Sequence, residues 1–156
     1  MSTSQQLITR LSAIPDSAVA VLARIGLGAM FWLSGQTKIE GFVANPLTGE
    51  WLLGWPHLSA SAHYLFAEEY RLPLLAPDVA ALLAAIAEHL LPLLLLLGLA
   101  TRFAAAGLLA MTLVIQFLVY PDAWPTHAIW AALLLFLIAR GGGVLSLDHV
   151  LFRNRH

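Results

Sequence analysis

The sequence contains no cysteine. A chain without cysteine carries no disulfide, no thiolate-ligated metal ion, no iron–sulfur cluster and no CxxC redox pair of its own. Charged residues are also scarce, since Asp, Glu, Lys and Arg make up 11% of the 156 residues. The net charge is −1 and no basic run occurs. This excludes nucleic acid as a partner, because phosphate contacts need clustered Lys and Arg.

Hydrophobic residues, by contrast, make up 60% of the chain. A soluble domain is about 45–50% apolar and about 25% charged. A chain of this size with so few charges would expose a largely apolar surface to water. The composition therefore predicts that the lipid bilayer surrounds the protein.

Four segments are long and apolar enough to cross a bilayer core of about 30 Å as helices of about 20 residues. They are residues 17–34, 79–100, 103–120 and 126–145. The apolar run of the fourth is short, so we expect that helix to continue past Arg140 and the glycines after it. Ser146 and Asp148 are expected to cap a short final helix, residues 149–154. The predicted fold class is all-α, an integral membrane four-helix bundle with residues 1–156 in one domain.

The distribution of Lys and Arg predicts which side of the membrane each loop faces. An even number of spans places both termini and the turn between spans two and three on one side. That side collects Arg10, Arg102, Arg140, Arg153 and Arg155. The opposite side has Lys38 and Arg71, together with most of the acidic residues. Because cytoplasmic loops are the more basic ones, both termini are predicted to be cytoplasmic.

The loop between spans one and two, residues 35–78, is long and rich in amphipathic aromatic residues. It contains Trp51, Trp55, Tyr64 and Tyr70, and such residues concentrate at the headgroup level of membranes. Residues 59–70 have the pattern of a short helix flanked by prolines. We expect an interfacial helix on the outer leaflet. The alternative is a lid over a site inside the bundle.

Arg24 and Glu88 are the ionisable residues predicted to lie within the hydrocarbon. Ionisable groups at that depth are costly and usually face the bundle interior. Small residues flank both of them at four-residue spacing, which allows close helix approach. One hypothesis is a buried Arg24–Glu88 ion pair that only fixes helix register. The other makes Glu88 a proton acceptor beside a bound ligand, with its pKa set by Arg24.

Further polar and aromatic residues are expected in the outward half of the membrane. They are Lys38 after span one, Gln116 and Tyr120 on span three, and His127 and Trp130 on span four. Together they predict an outward-facing pocket with an aromatic wall, roomy enough for a quinone-like ring. Taken singly, Tyr120 and Trp130 are also typical interfacial residues, and His127 suits a helix cap.

Metal and haem sites are not predicted. A haem needs two axial histidines at one depth, whereas His89 is near mid-span and His127 near the surface. A di-metal carboxylate site needs several Glu and repeated Glu-x-x-His motifs, which are absent. His57 and His63 in the outer loop match no specific metal-site spacing.

The chain resembles the DoxX family from about residue 19 to residue 151. The resemblance is carried by Arg24, Gly35 and Lys38, then Glu88, Gly98, Thr101 and Arg102, and finally Arg140, Gly141, Gly143, Ser146, Leu147 and Asp148. It implies a four-helix protein of the bacterial inner membrane. Some relatives are small subunits of a thiosulfate:quinone oxidoreductase, and others are linked with oxidative-stress or metal-handling systems.

Two regions also resemble a branch associated with small secreted metal-binding peptides. They are residues 69–75 and residues 120–127. Arg24, Lys38, Glu88 and Arg102 are the positions that inherit any family role. The resemblance implies no catalytic nucleophile.

The residues and the resemblance together leave two main functional hypotheses. In the first, the chain is a membrane subunit of a redox system that interacts with quinone. The reacting residues would be Glu88 and Arg24, and the quinone would contact Lys38, Gln116, His127 and Trp130. Electrons would pass to or from a protein partner, because the chain has no cysteine.

In the second hypothesis, the chain is a non-catalytic membrane anchor or assembly partner for a metal-handling or secreted-peptide system. It would dock a protein partner on the periplasmic face through residues 51–70. A small transporter is a third reading. It would require a homo-oligomer, because four spans offer little alternating-access machinery.

Overall fold

The computed structural model describes residues 4–5 and 13–152. Arg10, Arg153 and Arg155, which enter the orientation argument, lie outside the described residues, as do residues 153–154 of the expected final helix. The helices are α1 (Asp16–Gln36), α2 (Ala60–Tyr64), α3 (Pro77–Leu97), α4 (Thr101–Val114), α5 (Trp124–Arg140) and α6 (Leu147–Phe152). Two strands, β1 (Ile39–Asn45) and β2 (Glu50–Leu58), connect α1 to α2.

Four helical segments are long and apolar enough to cross a membrane: Asp16–Gln36, Pro77–Leu97, Thr101–Val119 and Pro121–Arg140. The third is α4 with a π-helical extension, Ile115–Val119, and the fourth is α5 with a preceding 3₁₀ turn, Pro121–Ala123. The predicted all-α membrane bundle is therefore confirmed, and the protein is a multi-pass membrane protein.

The fourth span ends earlier than expected. Helix α5 stops at Arg140 because Gly141 adopts φ +78° and ψ −167°, an extended conformation with positive φ that glycine tolerates and that breaks the helix. The span reaches crossing length at its other end, through the turn Pro121–Ala123. The expectation that it continues toward residue 145 is wrong.

The bundle has two chemically different ends. At one end lie the start of α1, the end of α3, the start of α4 and the end of α5, and we call it the Arg24 end. At the other lie the two strands, α2 and the π-helix that continues it, Leu65–Tyr70, and we call it the hairpin end. Leu27, Phe31, Leu95, Leu108 and Leu134 form much of the core between the two ends.

Glycines bring α1 close to α3. A Cβ atom at Gly28 would lie 2.8 Å from Leu96 Cγ, and one at Gly35 would lie 2.9 Å from the His89 ring. Small residues at helix crossings are the usual means of close packing in membranes. The contact sets the register of the two helices, with Glu88 level with Gly35, since the Cβ at Gly35 would also lie 3.0 Å from the Glu88 carbonyl oxygen.

The loop between the first and second spans contains a β-hairpin that was not predicted from the sequence. Strands β1 and β2 pair antiparallel from Ile39–Leu58 to Asn45–Glu50, with an irregularity near Gly41. The hairpin is tied to α1 at Ala44. Its carbonyl accepts from Trp32 Nε1 at 2.8 Å, and its N–H donates to Gln36 Oε1 at 2.7 Å.

A short helix forms within residues 59–70, as expected. Ser59 caps α2 by accepting from the Ala62 N–H at 3.1 Å, and the helix continues in the wider π form to Tyr70. It ends at Arg71, which has φ +42°. Phe66 is buried on its inner face. The segment therefore covers part of the bundle and is more than a surface element.

Candidate functional site

Arg24 is buried and binds four backbone carbonyls at the Arg24 end of the bundle. Nε donates to Leu95 at 2.7 Å and Nη2 to Leu96 at 2.7 Å. Nη1 donates to Gly142 at 2.9 Å and to Leu145 at 2.6 Å. The guanidinium thus joins the last turn of α3, where helix carbonyls lack partners and favour a cation, to the loop after α5.

The predicted Arg24–Glu88 ion pair is wrong. Glu88 lies level with Gly35, which is eleven residues from Arg24 along α1, or about 16 Å at 1.5 Å per residue. Two charges on helices that face each other need not be at one depth. The hypothesis that Arg24 sets the pKa of Glu88 falls with the pair.

The other residues at the Arg24 end complete a structural clamp, defined here as Arg24, Gly98, Gly142, Ser146 and Asp148. Gly98 ends α3 in the left-handed conformation at φ +66°. Ser146 Oγ accepts from the His149 N–H at 3.1 Å and caps α6 as expected. Asp148 differs from the expectation and caps α4 instead. Its carboxylate accepts from the N–H groups of Ala100 at 2.7 Å and Thr101 at 2.9 Å.

The other two arginines at this end have looser contacts. Arg102 donates to the Ile138 carbonyl at 2.8 Å and is exposed. Arg140 lies 3.4 Å from Asp16 in an exposed ion pair. Both contacts join span ends, which is a structural role.

Glu88 pairs with Lys38, which is the only lysine of the sequence. Lys38 Nζ lies 2.6 Å from Glu88 Oε2, and the two side chains are 7% and 5% exposed. The same ammonium group donates to Ser34 Oγ at 3.2 Å and to the Ser34 carbonyl at 3.3 Å. Burying two charges is costly even when they pair, and a buried pair within a span is a functional-site candidate.

The pair borders a cavity of about 360 Å³, which we call the Glu88 cavity. Helices α3 and α4 supply aliphatic and small residues to its walls, and six aromatic residues line the rest: Phe31, Phe66, Tyr70, Tyr120, His127 and Trp130. Phe31 and Trp130 meet edge to face, with centroids 5.6 Å apart. A polar pair inside apolar walls is the usual composition of a small-molecule site.

Of the four residues predicted to contact a cofactor, the structure places Lys38, His127 and Trp130 on the cavity wall. Gln116 lies behind His127. Its Oε1 is 2.7 Å from His127 Nδ1, and its Nε2 donates to the Pro121 carbonyl at 2.8 Å. With the amide oxygen accepting, Nδ1 of His127 carries the proton, and the neutral ring then has an acceptor at Nε2.

The aqueous side of the cavity is closed by two tyrosines. The rings of Tyr70 and Tyr120 meet edge to face at 5.7 Å, and the Tyr120 hydroxyl donates to the Glu69 carboxylate. That hydrogen bond is the main cause of a raised pKa at Tyr120. Burial is the main cause of the raised pKa at Tyr70. These contacts hold the π-helix after α2 against the end of α4.

The positions of Phe66 and Tyr70 on the cavity wall were not predicted from the sequence. Their spacing of four residues places them on one helix face, and this was the available signal. Segments of π-helix, which occur often at functional sites, flank the cavity at Leu65–Tyr70 and Ile115–Val119.

His89 lies on the opposite side of α3 and does not line the Glu88 cavity. Its Nδ1 donates to the Ala85 carbonyl at 2.7 Å, and its Nε2 lies 2.8 Å from Gln36 Nε2. The ring also packs against Trp32. Within residues 4–5 and 13–152, no group of three or more His, Asp or Glu side chains is placed to hold a metal ion.

The sequence model of the DoxX family matches residues 19–121. The chain belongs to the DoxX family. The matched region includes Arg24, Lys38, Glu88 and Arg102, whereas the clamp residues after Arg140 lie beyond it. No curated protein and no solved structure matches the chain.

Proposed function

We propose that this DoxX protein is a membrane subunit of a redox system and that the Glu88 cavity binds the ring of a quinone. One observation carries the proposal, namely the buried Lys38–Glu88 pair on the wall of an aromatic cavity inside the bundle. The proposal makes the chain part of a quinone-linked oxidoreductase that is not catalytic alone.

The residues of the cavity fit a quinone ring. The volume of the Glu88 cavity is within the range of about 300–1,000 Å³ typical of small-molecule pockets. Phe31 and Trp130 offer flat apolar surfaces, Lys38 offers an N–H donor for a ring oxygen, and Glu88 offers an acceptor for a ring hydroxyl. A bound quinone supplies two-electron, two-proton redox chemistry.

The chain's own residues would bind the ring and handle protons. Glu88 would take a proton at its carboxylate, and Lys38 would keep two contacts to Ser34 when that carboxylate is neutral. His127 would offer a second acceptor at Nε2, since Gln116 occupies Nδ1. We assign Arg24 no part in this chemistry, because its guanidinium donates four hydrogen bonds to backbone carbonyls at the other end of the bundle.

Native mass spectrometry of the detergent-purified protein tests the proposal, with its lipid extract analysed in parallel. We expect one quinone per chain in the natural protein and its loss in Glu88→Gln and in Lys38→Met. Glu50→Gln is the matched control, because Glu50 is exposed on the hairpin. Quinone retained in both cavity variants, or absent from the natural protein after incubation with a decyl-benzoquinone, would refute the proposal.

A second candidate function is that of a membrane anchor or assembly partner for a metal-handling or secreted-peptide system. It is favoured by the hairpin, on which Trp51, Leu53 and Trp55 are 65%, 84% and 89% exposed. Large aromatic residues of this kind suit either headgroups or a protein partner. In a complementation assay, this function predicts that Trp51→Ser with Trp55→Ser fails while Glu88→Gln succeeds, and the redox function predicts the reverse.

We also propose a placement in the bacterial inner membrane with both termini cytoplasmic and the hairpin end periplasmic. The hairpin end contains Lys38, Arg71 and most of the acidic residues, whereas the Arg24 end contains Arg102 and Arg140. Cytoplasmic loops carry the excess of Lys and Arg. The chain has no cysteine, so Thr48→Cys and Val144→Cys each introduce a single thiol. In intact cells, a membrane-impermeant maleimide should label Thr48→Cys alone.

A further inference from the structure

We infer that the Glu88 cavity opens sideways into the lipid between α3 and α4, and that its ligand therefore keeps a hydrocarbon chain in the bilayer. The inference deepens the proposed function and rests on it only for the identity of the ring. It concerns how the ligand enters and what kind of molecule can enter.

The exposure of the cavity lining shows where the opening is. At the inner end, Lys38, Glu88 and His127 are 6%, 4% and 5% exposed. Toward α3 and α4, Leu83 is 51% exposed and Val114 is 42% exposed, although both line the same cavity. Because these two residues belong to membrane-crossing helices, the surface that they share with the cavity faces lipid.

The packing of α3 against α4 explains the opening. Near the Arg24 end the two helices are in close contact, since a Cβ atom at Gly107 would lie 2.9 Å from Leu91 Cδ1. Nearer the hairpin end, α3 presents the small residues Ala80, Ala84 and Ala87 to the cavity. There α4 changes to a π-helix at Ile115. Small side chains on one helix and a widened turn on the other leave space between them.

At the hairpin end, Tyr120 and Leu75 also line the cavity and are 42% and 44% exposed, but side chains in contact with one another cross the route from water. Phe66 is 5% exposed beneath the π-helix that follows α2, and Tyr70 meets Tyr120 over the cavity. The Tyr120–Glu69 hydrogen bond fixes this closure. A water-soluble ring would have to break these contacts to enter. A ligand dissolved in the bilayer would pass Leu83 and Val114, and its chain would stay among lipid tails.

A first experiment measures where the cavity opens without any ligand. Nitroxide labels are placed singly at Ala84→Cys, inside the cavity, and at Thr48→Cys, on the exposed hairpin turn, in lipid nanodiscs. Collision rates with oxygen, which prefers lipid, and with a water-soluble nickel chelate are compared. We expect the Ala84 label to favour oxygen and the Thr48 label to favour the chelate. An Ala84 label that collides freely with the chelate would overturn the inference.

A second experiment measures the effect on binding. The probes are a benzoquinone with a decyl chain and the same ring with a methyl group in place of that chain. The binding of each probe is expressed per mole fraction of that probe in the bilayer. Val114→Trp, which fills the opening at the cavity wall, should weaken decyl-probe binding about tenfold more than methyl-probe binding. Leu83→Trp serves as a second blocking variant if Val114→Trp does not fold. Equal loss of both probes, or of neither, would contradict sideways entry.

The two experiments separate this inference from the proposed function. If neither probe binds the natural protein, the quinone proposal fails, while the nitroxide result still tests the opening. If both probes bind but the Ala84 label is water-accessible, the quinone proposal stands and sideways entry fails.

Discussion

Within residues 13–152, the two buried Lys and Arg side chains are held in different ways, one at each end of the bundle. In that part of the chain Arg24 has no acid in hydrogen-bond contact, and it donates to four backbone carbonyls. Lys38 pairs with a carboxylate and borders a cavity. A carbonyl cannot take up a proton at ordinary pH, whereas a carboxylate can. Arg24 therefore serves the fold, and Lys38–Glu88 is the pair that can serve chemistry.

The largest expected effect comes from Arg24→Leu, which tests the structural side of this comparison. The substitution removes the side-chain donor of four backbone carbonyls, of which Leu95 keeps the Gly98 N–H at 3.0 Å, and each buried carbonyl left without a partner costs about 1–3 kcal/mol. We expect the free energy of unfolding to fall by about 3 kcal/mol or more, measured by thermal melting in detergent. Arg102→Leu is the control, since Arg102 is exposed and has one such bond. Equal melting temperatures of Arg24→Leu and Arg102→Leu would contradict a stabilising role of the Arg24 hydrogen bonds.

Lys38→Met is the next largest, at about 3 kcal/mol, because it leaves a buried carboxylate without its cation. The informative variant is the double substitution Lys38→Met with Glu88→Leu. Replacing both members of a buried pair by apolar residues is often neutral. The free energy of unfolding, followed by thermal melting, should therefore return to within about 1 kcal/mol of the natural protein's value. A double variant as unstable as the single one would show that the pair is needed for folding.

Gly98→Ala sharpens the description of the clamp. The new Cβ would lie 2.5 Å from Ser146 Cβ and 2.7 Å from Arg24 Nη2, at a residue with φ +66°. Overpacking and the left-handed backbone predict a loss of about 1–3 kcal/mol in thermal melting. Gly26→Ala is the matched control, because no atom lies within 4 Å of its added Cβ. It should be neutral or slightly stabilising.

The smallest effect on the free energy of unfolding is expected at Tyr120, which meets Tyr70 over the cavity. Tyr120→Phe removes one exposed hydrogen bond, which we expect to cost less than about 1 kcal/mol. Because the pKa of Tyr120 is raised in the folded state, its contribution to stability is complete below the pKa of an unfolded tyrosine. That contribution is lost only as pH rises through the higher folded value.

Tyrosinate absorbance gives the corresponding measurement. Burial also raises the pKa of Tyr70, so a late-titrating component from that residue is expected in every variant. The Tyr120 component should vanish in Tyr120→Phe. In Glu69→Gln it should move toward the ordinary tyrosine pKa of about 10, because the charged acceptor is gone. A titration unchanged by Glu69→Gln would show that Glu69 does not hold this hydroxyl in solution.

Local sequence signals predicted the helices well and their ends less well. Span length and apolarity are properties of one segment, and they located each of the helices that cross the membrane. The end of α5 was missed because the first glycine after Arg140 adopts a positive φ, and a flanking apolar run concealed that break. The hairpin was missed because strand pairing joins residues such as Ile39 and Leu58, which are distant in sequence.

The candidate site was predictable as a set of residue types but not as a set of partners. Scarcity of polar residues in the spans singled out Arg24, Glu88, Gln116 and His127 by itself. Which of them meet depends on the offset between helices, set by contacts such as Gly35 with His89. The offset of eleven residues between Arg24 and the level of Glu88 is about three helical turns, and it exchanges one partner for another.

The sequence by itself determined that this chain crosses a membrane four times, because an apolar span of about 20 residues satisfies its own backbone only as a helix. It also determined the DoxX family. Only the tertiary structure decided that Glu88 pairs with Lys38 and that Arg24 binds carbonyls. Helix registers are set by packing between segments far apart in the chain, and no local pattern encodes the depth at which two side chains meet.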